Sequence, residues 1–591
     1  MERRTAEPDG RLGGVVVELH VQWGLVGPGR ADRFLLERQF VERELLVNQL
    51  ESLTRHKSSG RRSPMHRHLN IKLAPAVLAA TLALAASAQA APESIVVFAH
   101  DVSSRTEQAL VAQAGGRITR RLHIINAVGA SLTRIQAIRL RHDRSVVSVT
   151  ADSRMETTAV APSIPPSPCT ASQPLCASAL NTSYIQSAMV DSLWSDKLWA
   201  STGAGVGVAV VDTGIDGNLP DFQVSQSNAN SRVIASVVTN PNATTAADLY
   251  GHGTHVAGIL AGNGDDLPSA DPNHGRYIGV APNANLISVK ASDDSGNATE
   301  IDVINGLQWV VDNQAAYNIK VVNLSLSAST AQSYRIDPLD AAVEQAWLHG
   351  ITVVVAAGNR GTASDAVSYA PANDPYVITV GAVDDNGTKQ VSDDTMTSWS
   401  SRGVTQDGFT KPDIYAPGEH IVAPLAPGSA FATLCPWCVR NTSYFQLSGT
   451  SMAAPIVAGV AADLLAVHPT WTPTQVKSSL IYQGRGIGNG ALEVAADPAA
   501  LASSKQLAMY TGAGLTPNTL ITPSTGSIDY TKASWTKASW TSTGPTNPLS
   551  ATWAKASWTC LICSSANTTT SSASLPTKAS WTDFFGDVPT S

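Results

Sequence analysis

Three short segments supply an aspartate, a histidine and a serine in settings typical of hydrolytic enzymes. Asp212 follows the apolar run 206–211, His252 stands between two glycines, and Ser451 precedes an alanine-rich stretch. A serine hydroxyl is too weakly acidic to attack an acyl carbon alone, so it needs an imidazole to take its proton and a carboxylate to hold the imidazolium. These residue types predict nucleophilic acyl transfer. Each alone has a structural alternative, such as capping a helix.

Residues from about 200 to 500 alternate short apolar runs with helical stretches. Continuous apolar runs indicate strands that are buried on both faces of a parallel sheet. The predicted strands are 206–211, 286–289, 321–326 and 353–356, and the predicted helices include 301–313 and 340–348. We therefore expect an α/β fold with a doubly wound, mostly parallel sheet, whose functional loops leave the carboxyl ends of the strands.

The order aspartate, histidine, serine on an α/β fold is one known arrangement of such a triad. The segments 212–214 (Asp-Thr-Gly), 252–255 (His-Gly-Thr-His) and 449–455 (Gly-Thr-Ser-Met-Ala-Ala-Pro) resemble the three signatures of the subtilases, the subtilisin-like serine proteases. The segments 398–403 and 411–418 resemble a bacterial branch of that family. The resemblance covers about residues 200–500.

The resemblance implies a role for each residue of the triad. Ser451 would be the nucleophile, His252 the general base and then the general acid, and Asp212 the partner that orients His252. The segment 356–359 (Ala-Ala-Gly-Asn) matches the oxyanion-hole motif of the family, so that Asn359 and the backbone N–H of Ser451 would bind the oxyanion. His255 is expected to be structural, and the chemistry needs no cofactor.

An extended peptide substrate is expected to bind as an added strand beside Ser325, Leu326 and Ser327. The family usually has a pair of glycines after this strand, whereas the present chain continues with Ser327 and Ala328. Side chains therefore line walls that are normally bare backbone, and the side-chain preference stays open.

A structural calcium ion is a further expectation, at Asp221, which matches a calcium-binding position of some relatives. The loop 265–274 is longer than the usual ligand loop of the family. The alternative is a set of solvated surface acids.

The first 90 residues contain a pattern typical of export. In residues 65–90 a positive stretch ending at Lys72 precedes the apolar run 73–86 and the small-residue sequence Ala-Gln-Ala. The apolar run is shorter than the roughly 20 residues of a membrane-spanning helix, so we predict a signal peptide cleaved after Ala90. Residues 1–64 are then an over-extended gene start, and the product is secreted and extracellular. We identify no segment of membrane-spanning length after the signal peptide.

Residues 91–157 are predicted to form a small α+β unit, similar to the inhibitory propeptide of the family. Residues 91–160 contain nine arginines and six acids, whereas residues 161–591 have a net charge of −14. Complementary charge favours docking of the two parts, although unrelated charge balances would look the same. The resemblance implies that this unit assists folding, blocks the cleft and is removed in the region 153–185.

Two further segments flank the predicted peptidase domain, 200–500. Residues 158–199 are predicted to be a linker and the mature N-terminal segment. Residues 501–591 are a Ser/Thr-rich tail with four Lys-Ala-Ser-Trp repeats. The tail suggests contact with the cell surface, and a solvated extension is the alternative.

The six cysteines fall into three close pairs. They are Cys169/Cys176, Cys435/Cys438 and Cys560/Cys563. Three local disulfides are the simplest pairing in an exported protein. Zinc binding is the alternative for the two Cys-X-X-Cys pairs, and a redox function is the alternative for Cys435 and Cys438.

The overall prediction is a secreted serine endopeptidase that acts on protein or peptide substrates and on its own propeptide. The net charge of −7 argues against a dedicated nucleic-acid binder. The alternative function is that of a catalytically silent surface or adhesion protein that retains the fold.

Overall fold

The computed structural model describes residues 91–99, 102–160, 183–271, 273–501 and 503–521. Several predictions therefore lie outside the described residues: the gene start 1–64, the signal peptide 65–90, the pairs Cys169/Cys176 and Cys560/Cys563, and the tail beyond residue 521.

The described residues contain short strands and helices in alternation. The strands are β1 (Glu93–Phe98), β2 (Arg117–Leu122), β3 (Ala127–Ser131), β4 (Val146–Ala151), β5 (Arg154–Thr157), β6 (Ala159–Val160), β7 (Gly207–Asp212), β8 (Gln223–Ser225), β9 (Asn228–Ser231), β10 (Val233–Val238), β11 (Asn285–Lys290), β12 (Ala298–Thr299), β13 (Ile319–Leu324), β14 (Leu326–Ala328), β15 (Thr352–Ala356), β16 (Ile378–Asp384), β17 (Thr395–Met396), β18 (Gly403–Val404), β19 (Thr410–Lys411), β20 (Ile414–Pro417), β21 (Ile421–Pro424), β22 (Val439–Arg440), β23 (Tyr444–Gly449), β24 (Arg485–Gly486) and β25 (Leu492–Glu493). The α-helices are α1 (Ser104–Ala114), α2 (Arg134–Arg141), α3 (Tyr184–Ser187), α4 (Val190–Trp194), α5 (His252–Ala261), α6 (Glu300–Asp312), α7 (Pro338–Leu348), α8 (Ala430–Leu434), α9 (Thr450–Val467), α10 (Pro473–Gln483) and α11 (Pro498–Leu501). Short 3-10 turns cover His123–Ile125, Pro220–Phe222, Val391–Asp393, Pro436–Cys438 and Ser504–Ala508.

The central sheet has the strand order β10-β11-β7-β13-β15-β16-β20-β25-β24. Neighbours from β10 to β25 are parallel, and β24 and β17 add antiparallel pairs at β25 and β16. Strand β7 is buried at every position, as a strand covered on both faces must be. The predicted α/β class with a mostly parallel sheet is confirmed.

Strand β7 has β11 on one side and β13 on the other, although β11 and β13 both follow it in the chain. The connections after β7 and β11 therefore diverge, which opens a crevice at the carboxyl ends of the strands. Asp212 is the last residue of β7 and lies at this edge.

Helix α9 is a long, largely buried helix and carries Ser451 near its start. Its residues from Thr450 to Leu465 are all buried, and it packs on α5 and on strands β13, β15, β16 and β20. With 18 residues and a mean hydropathy of 1.7, α9 is long and apolar enough to cross a membrane by length and composition alone. The sequence analysis did not identify this segment as one of membrane-spanning length. Its residues are 89% buried inside the fold, so its apolar composition serves packing.

A separate four-stranded antiparallel sheet, in the order β2-β3-β1-β4, covers most of residues 93–151. Strand β1 has two apolar faces. Val96 and Phe98 pack with the residues of α1 and α2, whereas Ile95 and Val97 join the hydrophobic core of the central α/β region. The small sheet therefore shares a core with the main fold on one face, and it docks there through α6 and α7.

Candidate active site

Asp212 and His252 form a buried pair. The Oδ1 atom of Asp212 lies 2.7 Å from Nδ1 of His252, and the two side chains are 2% and 0% exposed. The same Oδ1 accepts a hydrogen bond from the backbone N–H of Thr213 at 2.7 Å. A carboxylate at Nδ1 fixes the imidazole so that Nε2 is the atom available for proton exchange.

The pair is positioned by Asp248, a residue that the sequence analysis did not single out. Its carboxylate accepts hydrogen bonds from the backbone N–H groups of Gly251 and Thr254, at 2.7 and 2.8 Å, at the start of α5. It also accepts the hydroxyl of Thr213 at 2.9 Å. Asp248 thus links the loop after Asp212 to the helix that begins at His252. Its only sequence signal was an acid just before a predicted helix start.

Ser451 is the second residue of α9, at the positive end of the helix dipole. Its hydroxyl donates to the carbonyl oxygen of Ser325 at 2.9 Å, and the Ser325 hydroxyl in turn donates to the carbonyl oxygen of Ser451 at 2.9 Å. These bonds fix the end of β13 against the start of α9.

Asn359 lies beside Ser451 and is oriented by the start of the same helix. Its Oδ1 accepts hydrogen bonds from the backbone N–H and the hydroxyl of Thr450, at 3.2 and 3.1 Å. Because Oδ1 is occupied in this way, the Nδ2 amide group points into the cleft. The hydroxyl of Thr450 also accepts the backbone N–H of Gly358 at 3.1 Å, which ties the two loops together.

Thr158 of the chain itself occupies this cleft. Its carbonyl oxygen accepts hydrogen bonds from Nδ2 of Asn359 at 2.6 Å and from the backbone N–H of Ser451 at 3.2 Å. Its N–H donates to Oγ of Ser451 at 3.0 Å, and the two hydroxyl oxygens are 2.7 Å apart. The two donors predicted to bind an oxyanion therefore bind one carbonyl of residues 152–160.

Gly449 leaves space for the carbonyl group of Thr158 because it has no side chain. A Cβ atom built on Gly449 would lie 2.2 Å from the carbonyl oxygen of Thr158, closer than any real contact. Its φ angle of +151° also disfavours other residues.

The backbone before Thr158 forms the middle strand of a small sheet in the order β12-β5-β14. In β14, Leu326 is opposite Thr157 and Ser327 is opposite Glu156, both in antiparallel register. An extended segment thus lies beside Leu326 and Ser327, while Ser325 contacts Ser451.

After Thr158 the chain pairs with a different strand. Ala159 is opposite Gly449, and Val160 is opposite Ser448 in β23. The segment 154–160 therefore passes through the cleft from β14 to β23, with Thr158 at the turning point.

Charges at the docking face of the small sheet are mixed. Arg120 lies 3.7 Å from Asp302, a pair of the kind that the opposite net charges suggested, and Nε2 of His123 lies 3.0 Å from Oδ1 of Asp312. Carboxylates also meet there: Asp152 accepts the N–H of Ile301 at the start of α6 at 3.0 Å.

The carboxyl groups at this face have raised pKa values. Burial raises the pKa of Asp152 to about 7, and the negative charges of Asp302 and Glu93 add to the effect. Burial raises the pKa of Glu300 as well, reinforced by the nearby carboxylates of Asp337 and Asp152.

His255 lies one turn after His252 and faces the core. Burial lowers its pKa to about 3, and its Nε2 atom is 2.9 Å from the carbonyl oxygen of Phe445. A neutral, buried imidazole with a backbone partner fits a structural role.

Asp221 is fully buried and hydrogen-bonded within the protein. Its Oδ1 accepts the backbone N–H of Asp266 at 3.0 Å and the hydroxyl of Tyr444 at 3.2 Å. Among the residues that the structure describes, no group of three or more His, Cys, Asp or Glu side chains could hold a metal ion. The calcium ion predicted at Asp221 is therefore not shown and stays a prediction.

Cys435 and Cys438 form a disulfide bond, as predicted for this pair. The bond lies between α8 and β22. Phe431 of α8 packs edge-on against the imidazole of His252, with ring centroids 6.3 Å apart. The disulfide thus belongs to a segment that borders the site.

Comparisons with known proteins give a consistent result. A family model described as the subtilase family matches residues 203–495. Over 284 residues the chain is 42% identical to serine protease AprX of Bacillus subtilis (strain 168), an alignment that covers 47% of this chain and 61% of AprX. Over 390 residues it is 32% identical to subtilisin E of the same organism, covering 66% of this chain and 83% of subtilisin E.

Among solved structures, that of a cold adapted subtilisin-like serine proteinase aligns with 49% of this chain and 85% of its own length. The sequence identity is 32% and the TM-score is 0.37.

Proposed function

The chain belongs to the subtilase family of serine endopeptidases, and we propose that it hydrolyses peptide bonds through Asp212, His252 and Ser451. One observation carries this proposal: the carbonyl oxygen of Thr158 accepts hydrogen bonds from Asn359 and from the N–H of Ser451, at 2.6 and 3.2 Å. Donors that converge on a carbonyl beside a serine hydroxyl stabilise the negative charge formed by attack on that carbonyl.

The reaction begins when Oγ of Ser451 attacks the carbonyl carbon and its proton passes to Nε2 of His252. Asp212 holds the imidazolium through Nδ1. The carbonyl oxygen becomes an oxyanion bound by Asn359 and by the N–H of Ser451. The carbon–nitrogen bond then breaks, and His252 gives its proton to the leaving amine. Water hydrolyses the resulting ester by the same steps in reverse order.

The Ser451 hydroxyl must turn before it reacts. In the structure it donates to the carbonyl oxygen of Ser325, so transfer of its proton to His252 requires the O–H group to turn away from that carbonyl. Catalytic hydrogen bonds that tighten only in the reactive complex are common.

Maturation follows from the same chemistry. The bond between Thr158 and Ala159 is the one that the cleft presents to Ser451, so residues 91–158 are the inhibitory propeptide and Ala159 begins the mature chain. This boundary lies within the predicted region 153–185 and one residue beyond the predicted domain end at 157. Residues 65–90 direct secretion, residues 1–64 precede the true start, and residues 501–591 form the tail.

Active-site labelling tests the proposal. A fluorophosphonate probe should modify the matured chain at Ser451, and Ser451→Ala should abolish labelling and casein hydrolysis together. Ser478→Ala is the matched control, since Ser478 lies on α10 and donates to the carbonyl oxygen of Gln506. If the matured protein resists the probe and leaves casein intact, the chain is a silent surface protein that keeps the fold.

A further inference from the structure

Arg360 follows Asn359 directly and reaches along the segment that occupies the cleft. Its guanidinium donates to Oε2 of Glu156 at 2.9 Å and to the hydroxyl of Ser327 at 3.1 Å. It also donates to the carbonyl oxygen of Ala328 at 3.3 Å and lies over the ring of Tyr369, 3.8 Å from its centroid. Three groups of the α/β fold thus hold the guanidinium in place, and the carboxylate of Glu156 completes its contacts.

Glu156 is the third residue before the bond between Thr158 and Ala159. Alternate residues of a strand point to the same side, so Glu156 and Thr158 share a face. Ser327 is the backbone partner of Glu156 in the register of β5 and β14, and its hydroxyl is one of the groups that holds Arg360. Any extended peptide bound in this register would place the third residue before its cleaved bond next to Arg360.

The ion pair is mostly shielded from water. The side chains of Arg360 and Glu156 are 20% and 13% exposed. Burial raises the pKa of Glu156, while the charges of Arg360 and Arg154 act in the opposite direction. Separating one partner of such a pair from its counter-charge is costly, and a like charge is repelled, so a pair of this kind discriminates between ligands.

We propose that Arg360 determines specificity, by selecting an acidic side chain at the third residue before the cleaved bond. The selection applies to the propeptide of this chain and to protein substrates alike. This inference rests on the proposed peptidase function. A glutamate at this position meets a guanidinium that is already oriented. A lysine meets a fixed positive charge, and a glutamine makes a neutral hydrogen bond instead of an ionic one.

Peptide hydrolysis by the matured enzyme tests this proposal. Three fluorogenic peptides differ only at the third residue before the cleaved bond, which is glutamate, glutamine or lysine. We expect kcat/KM to be at least about tenfold higher for glutamate than for lysine, with glutamine between them. Arg360→Glu should reverse the order. Arg402→Gln is the matched control and should keep the wild-type order, because Arg402 donates to the carbonyl oxygens of Thr397 and Ser400.

A charge exchange within the precursor gives a second test, useful if Arg360→Glu fails to mature. Glu156→Arg alone should slow cleavage of the precursor at least about tenfold, and the double variant Glu156→Arg/Arg360→Glu should recover most of the wild-type rate. Recovery of the cleavage rate in the double variant requires a direct interaction between residues 156 and 360. A general folding defect caused by one substitution would not be reversed by the other.

The outcomes separate the two proposals. Peptides cleaved at equal rates by the wild-type enzyme, with no recovery in the double variant, would overturn the role of Arg360 and leave the peptidase function intact. Failure of the wild-type enzyme to cleave any peptide or to react with a fluorophosphonate would overturn both.

Discussion

The segments on the two sides of Thr158 are held to very different extents. On the upstream side, β5 lies between two strands, with three register pairs to β14 and two to β12. The small sheet adds an apolar face packed into the main core, and Arg360 adds an ion pair with Glu156. On the downstream side, β6 has two register pairs with β23, along one edge.

This difference indicates what cleavage alone achieves. If the bond after Thr158 is cleaved as we propose, the short downstream segment is freed, while the upstream product keeps its strand pairing and its packed sheet. The cleft then stays occupied by the residues that end at Thr158. On this proposal activation has two steps, cleavage and release, and they depend on different residues. Variants that alter one step and leave the other unchanged would separate them.

Among variants that keep Asp212, His252 and Ser451, the largest effect is expected from Asn359→Ala, which removes a donor at the reacting carbonyl. The N–H of Ser451 remains, so the oxyanion keeps one of two hydrogen bonds. We expect kcat to fall on the order of 100- to 1,000-fold, a magnitude borrowed from subtilisin, with KM changed only a few-fold. Steady-state hydrolysis of a fluorogenic peptide measures both constants.

Asn305→Ala is the matched control for this prediction. Asn305 lies on α6 and donates to the carbonyl oxygen of Thr239 at 3.2 Å, outside the cleft. A kcat for Asn359→Ala within tenfold of the wild-type value would exclude Asn359 as an oxyanion donor.

A smaller effect is expected on release, and it depends on pH. Burial raises the pKa of Asp152 to about 7 in the docked state, and we expect it to fall towards the ordinary value of about 4 when residues 91–158 separate. Docking of the propeptide therefore takes up a proton when the pH lies between these two pKa values. The propeptide is held most firmly at low pH and loses affinity as pH rises towards 7, by up to about tenfold per pH unit for one proton.

Asp152→Asn tests this dependence, because an amide keeps an acceptor for the N–H of Ile301 and does not titrate. Between pH 5 and 7, the dissociation constant of the cleaved propeptide from the mature chain should depend less steeply on pH in this variant, by the equivalent of about one proton. Size-exclusion chromatography after self-cleavage measures this constant. The raised pKa of Glu300 leaves a residual slope. An unchanged slope would show that Asp152 does not couple release to pH.

The smallest effect is expected from Cys435→Ser/Cys438→Ser, on the downstream side. The disulfide closes a very short loop, so its loss costs about 2 kcal/mol at most. The thermal midpoint should fall by about 2 to 4 °C, as calorimetry would show, while propeptide retention stays the same. Thiol titration that finds Cys435 and Cys438 free and with low pKa values in the native protein would instead favour the redox interpretation of this pair.

The sequence predicted the main strands and the fold class because these strands are buried on both faces. A short, continuous apolar run bounded by turn residues fits few structures besides a buried strand, and the predicted strand 206–211 lies within one residue of β7. The predicted helix 301–313 is similarly close to α6. Three separate motifs predicted the candidate triad and a fourth predicted Asn359, because the motifs are specific when they occur together in this order.

Other features depend on contacts between distant residues and leave no local pattern. Nothing near Thr158 marks it as the residue that meets Asn359, because that contact spans 201 positions. Asp248 and Arg360 look like ordinary charged residues until the fold shows their partners. The net charges suggested docking of the small unit, yet they could not show that Asp152 faces other acids.

The most direct test of this account follows the cleavage of residues 91–591 with and without Ser451→Ala, by intact mass and N-terminal sequencing from the earliest time point. We expect the wild-type chain to be cut first between Thr158 and Ala159, the variant to stay whole, and the released piece to remain bound to the mature chain. A variant cut at the same bond, or a wild-type chain that matures while this bond stays intact, would contradict it.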